Sequence, residues 1–594
     1  MPNGYIVDGV YDINVNPPVS VQGISTDVWG IVGTFQKGPV NVPTYIVGLD
    51  DLENEFGPAD STLTGYIGAL SAATQGANQF QVVRVVGSGA VAASTTVNDS
   101  FGNPVFTSTY QSVGVGGNNA SVQVSAATQP GAFKLVYTDG TNIESFDNVV
   151  TVLPATPTVA PTLTATGTTG TLPAGTYTVA WSGTNAFGET QISPTTTVTI
   201  TAGQNIAVSA ITLPATLTGV KYYMSVAVGS TSLAVTATGT GAATTLTALP
   251  PAGAEIPPVS NTAQTGFTLV TNISSQIVNN TQPATPNTNL PVSNFYALAG
   301  GNNGTVPPLS TYIGTQNPNT GMYALAGTSP AISQFFLAGQ ADADAGSVQT
   351  IGSFCSANSL MAAVCLPQGT TSANAIAATA TLNTDRVALC WPWQQMFVSE
   401  LNQTLIVPPT GYWVGRVSTL YPQESPGNKS LVYTSGTEFT VSSSDIAACL
   451  ANRVVPVGVS IPRGGLGISS GATLSQTPSL NPVYRRRMND FIVESINTAL
   501  GAYVDEPITP TLLQDQQSTV SAFLNPLTTN NNESGKPMIA SYSVQCNSKN
   551  NPVSITSTNT TIIDTLVQLF NMNRFILFRT QIAAGVITTT IKTA

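Results

Sequence analysis

The chain has 594 residues, of which 17 are Lys or Arg, 28 are Asp or Glu and none is His, for a net charge of −11. Charged residues make up only 8%, against roughly 25% in an average soluble protein, so the surface is largely neutral and polar. The missing histidine removes the usual general base, triad partner and metal ligand, and the acidic balance argues against direct nucleic-acid binding, which needs a basic footprint. Such a weakly repelling surface suits a chain packed against copies of itself, and equally a secreted β-rich domain with a Thr/Ser coat. Length suggests about four domains at roughly 150 residues each. The five cysteines, Cys355, Cys365, Cys390, Cys449 and Cys546, are widely spaced without a Cys-x-x-Cys pair. They read as reduced and buried, with the odd count leaving room for one bond between copies.

Residues 1–24 alternate weakly through Tyr5, Ile6, Val7, Val10, Ile13 and Val15 and end in Pro17-Pro18, which fits an extended arm. No basic residue precedes Lys37 and no apolar signal core is present, so a secretory leader is not expected. The longest apolar run, Leu360 to Leu366, is far too short to span a bilayer. Thr26 to Gly57 packs strand, turn, strand and helix signals together: apolar Val28 to Thr34, punctuation at Lys37-Gly38-Pro39, apolar Thr44 to Val47, then a short helix opened by Asp50-Asp51-Leu52-Glu53 and closed by Gly57. Leu63, Ile67 and Leu70 predict a further helix stopping near Gly76, and Phe80 to Val86 a buried strand.

Composition then shifts to a Thr-rich stretch bracketed by Pro154, Pro157 and Pro161, and Gly175 to Ile200 alternates through two strands, so a β-sandwich of Ig or fibronectin-III type is expected over 157–258. Carbohydrate binding there would need an exposed aromatic platform, for which Tyr177, Trp181, Tyr222 and Tyr223 are the candidates. Thr320 to Leu325, Ser353 to Pro367 and Arg386 to Pro392 alternate helical and buried-strand patterns, an α/β layer. Ile492, Ile496, Leu500 and Tyr503 form one helical stripe and Leu513, Val520, Phe523 and Leu524 another. Thr560 to Phe570 predicts a further helix, Arg574 to Phe578 a strand, and Ala584 to Ala594 a β-prone tail.

Several of these stretches resemble the tail sheath proteins of contractile bacteriophages and related injection machines. Gly30, Gly33, Gly38, Pro39, Val40, Asn41, Pro43, Ile46, Leu52, Phe56 and Gly57 fill the family's "GxxGxxxxGPVNxPxxIxSxxxFxxxFG" pattern. The stretches QFQVVRVV, RVALCWPW (Arg386 to Trp393), VPPTGYWVGRVS (Val407 to Ser418) and YRRRMNDFIVESI resemble its "CYVVRV", "RxAxYYPW", "VPPSGxVAGxxA" and "RRLxxYIExSI" motifs. FKLVYTDGTNIESFDNV (Phe133 to Val149) looks like a hairpin of the family, YALAGGNNG (Tyr296 to Gly304) is similar to "LxGGxDG", with Asn302 and Asn303 where an acid is common, and Glu424 to Asn428 stands where the family has its "GxWxAPAN" turn.

The resemblance implies a multidomain α+β and α/β fold: a sheath-type core of mixed sheets and helices, an inserted all-β sandwich, and extended N- and C-terminal arms. The expected division is 1–24 arm, 25–156 sheath domain, 157–258 insert, 259–310 sheath continuation, 311–480 α/β core, 481–580 C-terminal sheath domain and 581–594 arm. It implies a structural subunit, not an enzyme, that stacks as rings around a tail tube and contracts to drive the tube through the host envelope. No cofactor, nucleic acid, metal or membrane insertion is expected. The implied partners are copies of itself, the tube protein, and baseplate and tail terminator proteins, in a virion tail assembled in the host cytoplasm. The rival is a virion or cell-surface adhesin.

Candidate contact residues follow from the residues themselves. Tyr5, Val7, Val10, Ile13 and Val15 at one end and Phe575, Leu577, Ile587 and Ile591 at the other are β-prone arms able to complete sheets in adjacent copies. Arg485, Arg486 and Arg487 either pair internally with Asp490 and Glu494 or meet an acidic face of the tube or a neighbour. Gly467 to Gly471 matches G-x-S-x-G, but Ser469 has no histidine to serve it. Asp342-Ala-Asp344-Ala-Gly346 carries two acids of a calcium loop's set.

Overall fold

The computed structural model describes residues 25–574, 576–582 and 587–592. They form two compact units, one of the described residues up to 87 and from 306 on, and one of 88–305. The first unit begins with strand β1 (Trp29–Gly33), β2 (Thr44–Val47), helix α1 (Leu49–Phe56), α2 (Thr64–Ala73) and β3 (Gln79–Arg84). After the second unit it continues through β4 (Gln334–Leu337), α3 (Ala345–Ala357), β5 (Met361–Cys365), β6 (Val387–Trp391), α4 (Thr410–Ser418), β7 (Lys429–Ser430), β8 (Val454–Ser460) and β9 (Leu466–Ile468). Its last part holds α5 (Val483–Leu500), α6 (Pro510–Leu527), β10 (Ser541–Gln545), β11 (Asp564–Gln568), β12 (Leu577–Ile582) and β13 (Ile587–Lys592).

A nine-stranded sheet ordered β2-β3-β1-β4-β5-β6-β8-β9-β7 is the spine of this unit. The six strands from β3 to β8 run parallel, and antiparallel β2 and β9-β7 finish the two edges. Parallel strands covered on both faces carry unbroken apolar runs. Accordingly β1, β5 and β6 are buried at every position. One face packs Trp29, Phe80, Phe336 and Cys390 under α1, α2 and α4, with Tyr412 and Trp413 filling the layer. The other packs Phe335, Val364, Leu389 and Trp391 under α3 through Ile351 and Phe354.

Two glycines let strand and helices of this unit approach closely. A Cβ on Gly33 would stand 2.6 Å from Gly65 Cα, and one on Gly415 would stand 2.1 Å from Ala72 O. Backbone cannot yield there as a side chain can, so β1 meets α2, and α4 meets α2, at distances that exclude any larger residue.

In the second unit, residues 143–150, 133–138, 121–126 and 295–297 with 268–269 form a five-stranded sheet, over a three-stranded one of 278–281, 104–110 and 94–98. Phe106, Val122, Leu135 and Tyr137 lie in their shared core. Between Leu163 and Leu246 lie a five-stranded and a three-stranded sheet of antiparallel strands sharing a core of Tyr177, Trp181, Ile206 and Tyr222.

The Thr26 to Gly57 order, the helix through Ile67 and Leu70, the Phe133 hairpin and the two late helical stripes stand as expected, except that Leu63 is the extended residue before α2 and Tyr503 lies in a 3-10 turn beyond α5. Thr560 to Phe570 is corrected: it holds strand β11, paired antiparallel with β10. Ile563, Val567 and Leu569 pack against the helices while Leu566 is 72% exposed, an alternation of period two, where a helix would bury every third or fourth residue. The strand expected at Arg574 begins only at Leu577, and its backbone pairs with the tail as a hairpin from Leu577↔Lys592 to Ile582↔Ile587. No helix among the described residues is long and apolar enough to cross a membrane.

Candidate functional site

The last section of the first unit concentrates the candidate contact surfaces. Helices α5 and α6 pack on β10 and β11 through Met488, Phe491, Phe523 and Leu524. Thr509 caps α6 by accepting the Leu512 N–H, and Pro510 stands in the first turn, where a missing N–H costs nothing. The β10-β11 ladder has two strands, and among the described residues both of its outer edges carry no partner strand. Beyond it lies the β12-β13 hairpin, which bears Leu577, Ile587 and Ile591. Phe575 and the N-terminal candidates Tyr5, Val7, Val10, Ile13 and Val15 lie outside the described residues.

The three arginines divide. Arg487 is 4% exposed and donates to the carbonyls of Leu420 (2.8 Å) and Tyr421 (3.2 Å). Burial lowers its guanidinium to about 10, with Glu424 opposing the shift. Arg486 is half-buried and forms an ion pair with Asp385. Arg485, also half-buried, donates to Ser479 O and Asn571 Oδ1 at 3.0 Å each and lies over the Tyr484 ring. The internal partners differ from those expected: Asp490 pairs with Arg386, and Glu494 accepts from Ser359 Oγ at 2.6 Å. Asp385 and Arg386 are adjacent in sequence, and Arg486 and Asp490 stand one helical turn apart, so four charges clasp α5 to the entrance of β6. Periodicity carries no sign of this clasp, because its halves are about 100 residues apart.

The chemical candidates have other roles. Asp344 caps α3 by accepting the Ser347 N–H at 3.0 Å. Asp342 is 1% exposed; its Oδ1 accepts the Cys365 N–H at 3.0 Å while Oδ2 has no partner among the described residues. Burial, set against that one hydrogen bond, pushes its carboxyl up to about 8. Ser469 Oγ is buried and likewise unpartnered. All five cysteines are free and buried, and burial pushes the thiols up, away from the reactive thiolate. Among the described residues no group of three or more His, Cys, Asp or Glu could hold a metal ion.

In the second unit Glu189 is the hub of a polar cluster. It accepts from Tyr223 OH at 2.5 Å, from Ser182 Oγ, and from Lys221 Nζ at 2.7 Å, and Lys221 also reaches Glu255 at 2.7 Å. An open cavity of about 690 Å³ lies beside it, lined by Thr184, Lys221, Thr238 and Thr262. Tyr177, Trp181, Tyr222 and Tyr223 are all buried, so these rings offer no platform for a sugar.

No protein-family model matches the sequence, and no curated protein does. The structure, however, superposes on the sheath tail protein of Listeria innocua over 96% of each chain, with a TM-score of 0.52 at 10% identity. The chain has the tail sheath fold. A sheath tail protein of Desulfitobacterium hafniense aligns over 95% of this chain and all of its own, with a TM-score of 0.47 at 11% identity. A sheath of an extracellular contractile injection system in its contracted state covers 44% of this chain and 75% of its own, with a TM-score of 0.38 at 16% identity. The fold assignment rests on the first of these three. At such identities the sheath fold is kept by core volume and backbone pairing, with few side chains in common.

Proposed function

We propose that the chain is a tail sheath subunit whose copies stack as rings around a tail tube, between baseplate and terminator proteins, and shorten to drive the tube through a host envelope. The observation that carries this is the superposition on a sheath tail protein along 96% of both chains. The free energy of contraction is stored at assembly as a kinetic trap between two packings, so the subunit acts as a structural element and needs no nucleotide or cofactor. It is made in the host cytoplasm and works in the virion tail. Residues 157–258 form an inserted Ig-like or fibronectin-III-like sandwich that decorates the particle, on surface loops that tolerate insertion. The burial of Tyr177, Trp181, Tyr222 and Tyr223 speaks against an adhesin reading of that insert.

Neighbours stay joined through β-augmentation at the open β10-β11 ladder. The arm of Tyr5 to Val15 from one copy and the β12-β13 hairpin of another extend it. Each main-chain hydrogen bond contributes about 1 kcal/mol net, so half a dozen per arm hold copies together as hinges while larger interfaces change. Deleting residues 1–15 is expected to abolish polymerisation while leaving the melting of the subunit unchanged. Sedimentation of the truncated protein reads this out, and intact sheaths from it would rule the linkage out.

A further inference from the structure

The two edges of the nine-stranded sheet carry opposite charge. At the β9-β7 edge, Lys429 stands on β7, Arg463 in the turn between β8 and β9, and Arg416 in the last turn of α4, with Arg487 on α5 nearby. These are four of the chain's 17 basic residues; three lie around one carboxylate, Glu424, which binds Lys429 at 3.0 Å and whose charge reaches Arg416 and Arg487, and Arg463 lies close to Arg416. The side chain of exposed Arg463 has no partner among the described residues, and the buried Nε of Arg416 has none either. Burial, and then the charge of neighbouring Arg463, lowers the Arg416 guanidinium. Glu424 is ion-paired with Lys429, so Arg416 and Arg463 together keep a surplus of positive charge that a carboxylate from another chain can meet.

The opposite edge is β2, followed at once by α1. Asp50, Glu53 and Glu55 are exposed on α1, Asp51 is half-exposed, and Glu400 is close enough that burial together with Glu400, Glu53 and Asp50 raises the Tyr66 hydroxyl to about 12. Lys37 lies in the neighbouring turn, its N–H bonded to Phe56 O. No ion pair among the described residues ties down the carboxylates of Asp50, Glu53, Glu55 or Glu400. Eight strand spacings separate the edges, roughly 40 Å, far beyond the ~8 Å reach of charge at physiological salt. The two patches therefore cannot neutralise each other within one chain.

We propose that the basic β9-β7 edge of one copy docks on the acidic α1 edge of the next, a head-to-tail contact. This inference rests on the sheath reading and names the surfaces that pass charge from copy to copy. A contact between two different patches on opposite ends of one sheet is heterologous, the kind that propagates into rings or helical arrays. It adds to the strand exchange of the arms a rigid, salt-sensitive interface between subunit bodies.

The test uses the full-length chain, with assembly followed by light scattering and electron microscopy. R463E alone, and E53K with E55K, are each expected to raise the concentration needed for assembly about tenfold or more, since each sets like charge against like. The triple variant R463E/E53K/E55K returns it to near the wild-type value. All three sites are exposed, and melting curves matching wild type exclude misfolding as the cause. Wild-type assembly with both reversed variants assembling equally well overturns the interface alone. Loss without rescue in the triple variant overturns the pairing. Failure of the wild type itself to assemble contradicts the sheath reading, and the interface falls with it.

Discussion

Asp342→Asn is expected to raise the stability of the first unit at pH 8 and to leave it near wild type at pH 4. The carboxyl is sealed at the end of β5, with one oxygen on the Cys365 N–H and the other facing no partner among the described residues. Desolvation raises it from 3.8 to about 8, and the like charge of Asp344 adds to the effect. The folded chain thus keeps a proton that the unfolded chain releases above pH ~4. Between those values the native state binds more protons than the unfolded state, so stability falls as pH rises from about 4 to about 8 and levels off above. At about 1.4 kcal/mol for each pH unit, the cost at pH 8 is on the order of 5 kcal/mol. Asparagine matches the neutral acid in shape and cannot ionise. Thermal melts of both proteins from pH 4 to 9 measure the difference, and a gap independent of pH would show that Asp342 is charged throughout.

Asp490→Ala is expected to cost about 3–5 kcal/mol, because it leaves a buried guanidinium without its counter-charge. Arg386 is 7% exposed, and among the described residues its guanidinium donates, besides Asp490, only to Leu360 O at 3.3 Å. Burial raises the Asp490 carboxyl even with Arg386 beside it. Replacing both partners, as Arg386→Met with Asp490→Leu, is expected to recover most of the loss, since an apolar pair of similar volume avoids the desolvation of two charges. Denaturant unfolding of the two variants separates the cases; equal losses in both would mean that the pair itself holds α5 to the sheet.

Local order was legible where short-range signals agree. From Trp29 to Gly57 apolar runs, Gly38-Pro39 and Gly57 punctuate two strands and a helix within thirty residues, and Gly57 leaves α1 at φ 90°, a backbone conformation that glycine adopts freely. Strand order was not legible, because β1 lies between β3 and β4, and β4 comes some 300 residues later with the whole second unit in between. The stretch from Thr560 shows the same limit locally: Ile563, Val567 and Leu569 fit either period until β10 supplies a partner. Contact chemistry was legible only in part. Three consecutive arginines stand out in so weakly charged a sequence, yet Arg487 is spent on carbonyls and Arg486 on Asp385. The less conspicuous Arg416, Lys429 and Arg463, scattered over nearly fifty residues, converge only after β7, β8 and β9 pair.

Electron microscopy of the purified full-length protein tests the central claim most directly. A sheath subunit is expected to polymerise into long hollow tubes built from stacked rings. Isolated monomers at every concentration and salt condition, most of all with affinity for glycans, would contradict it.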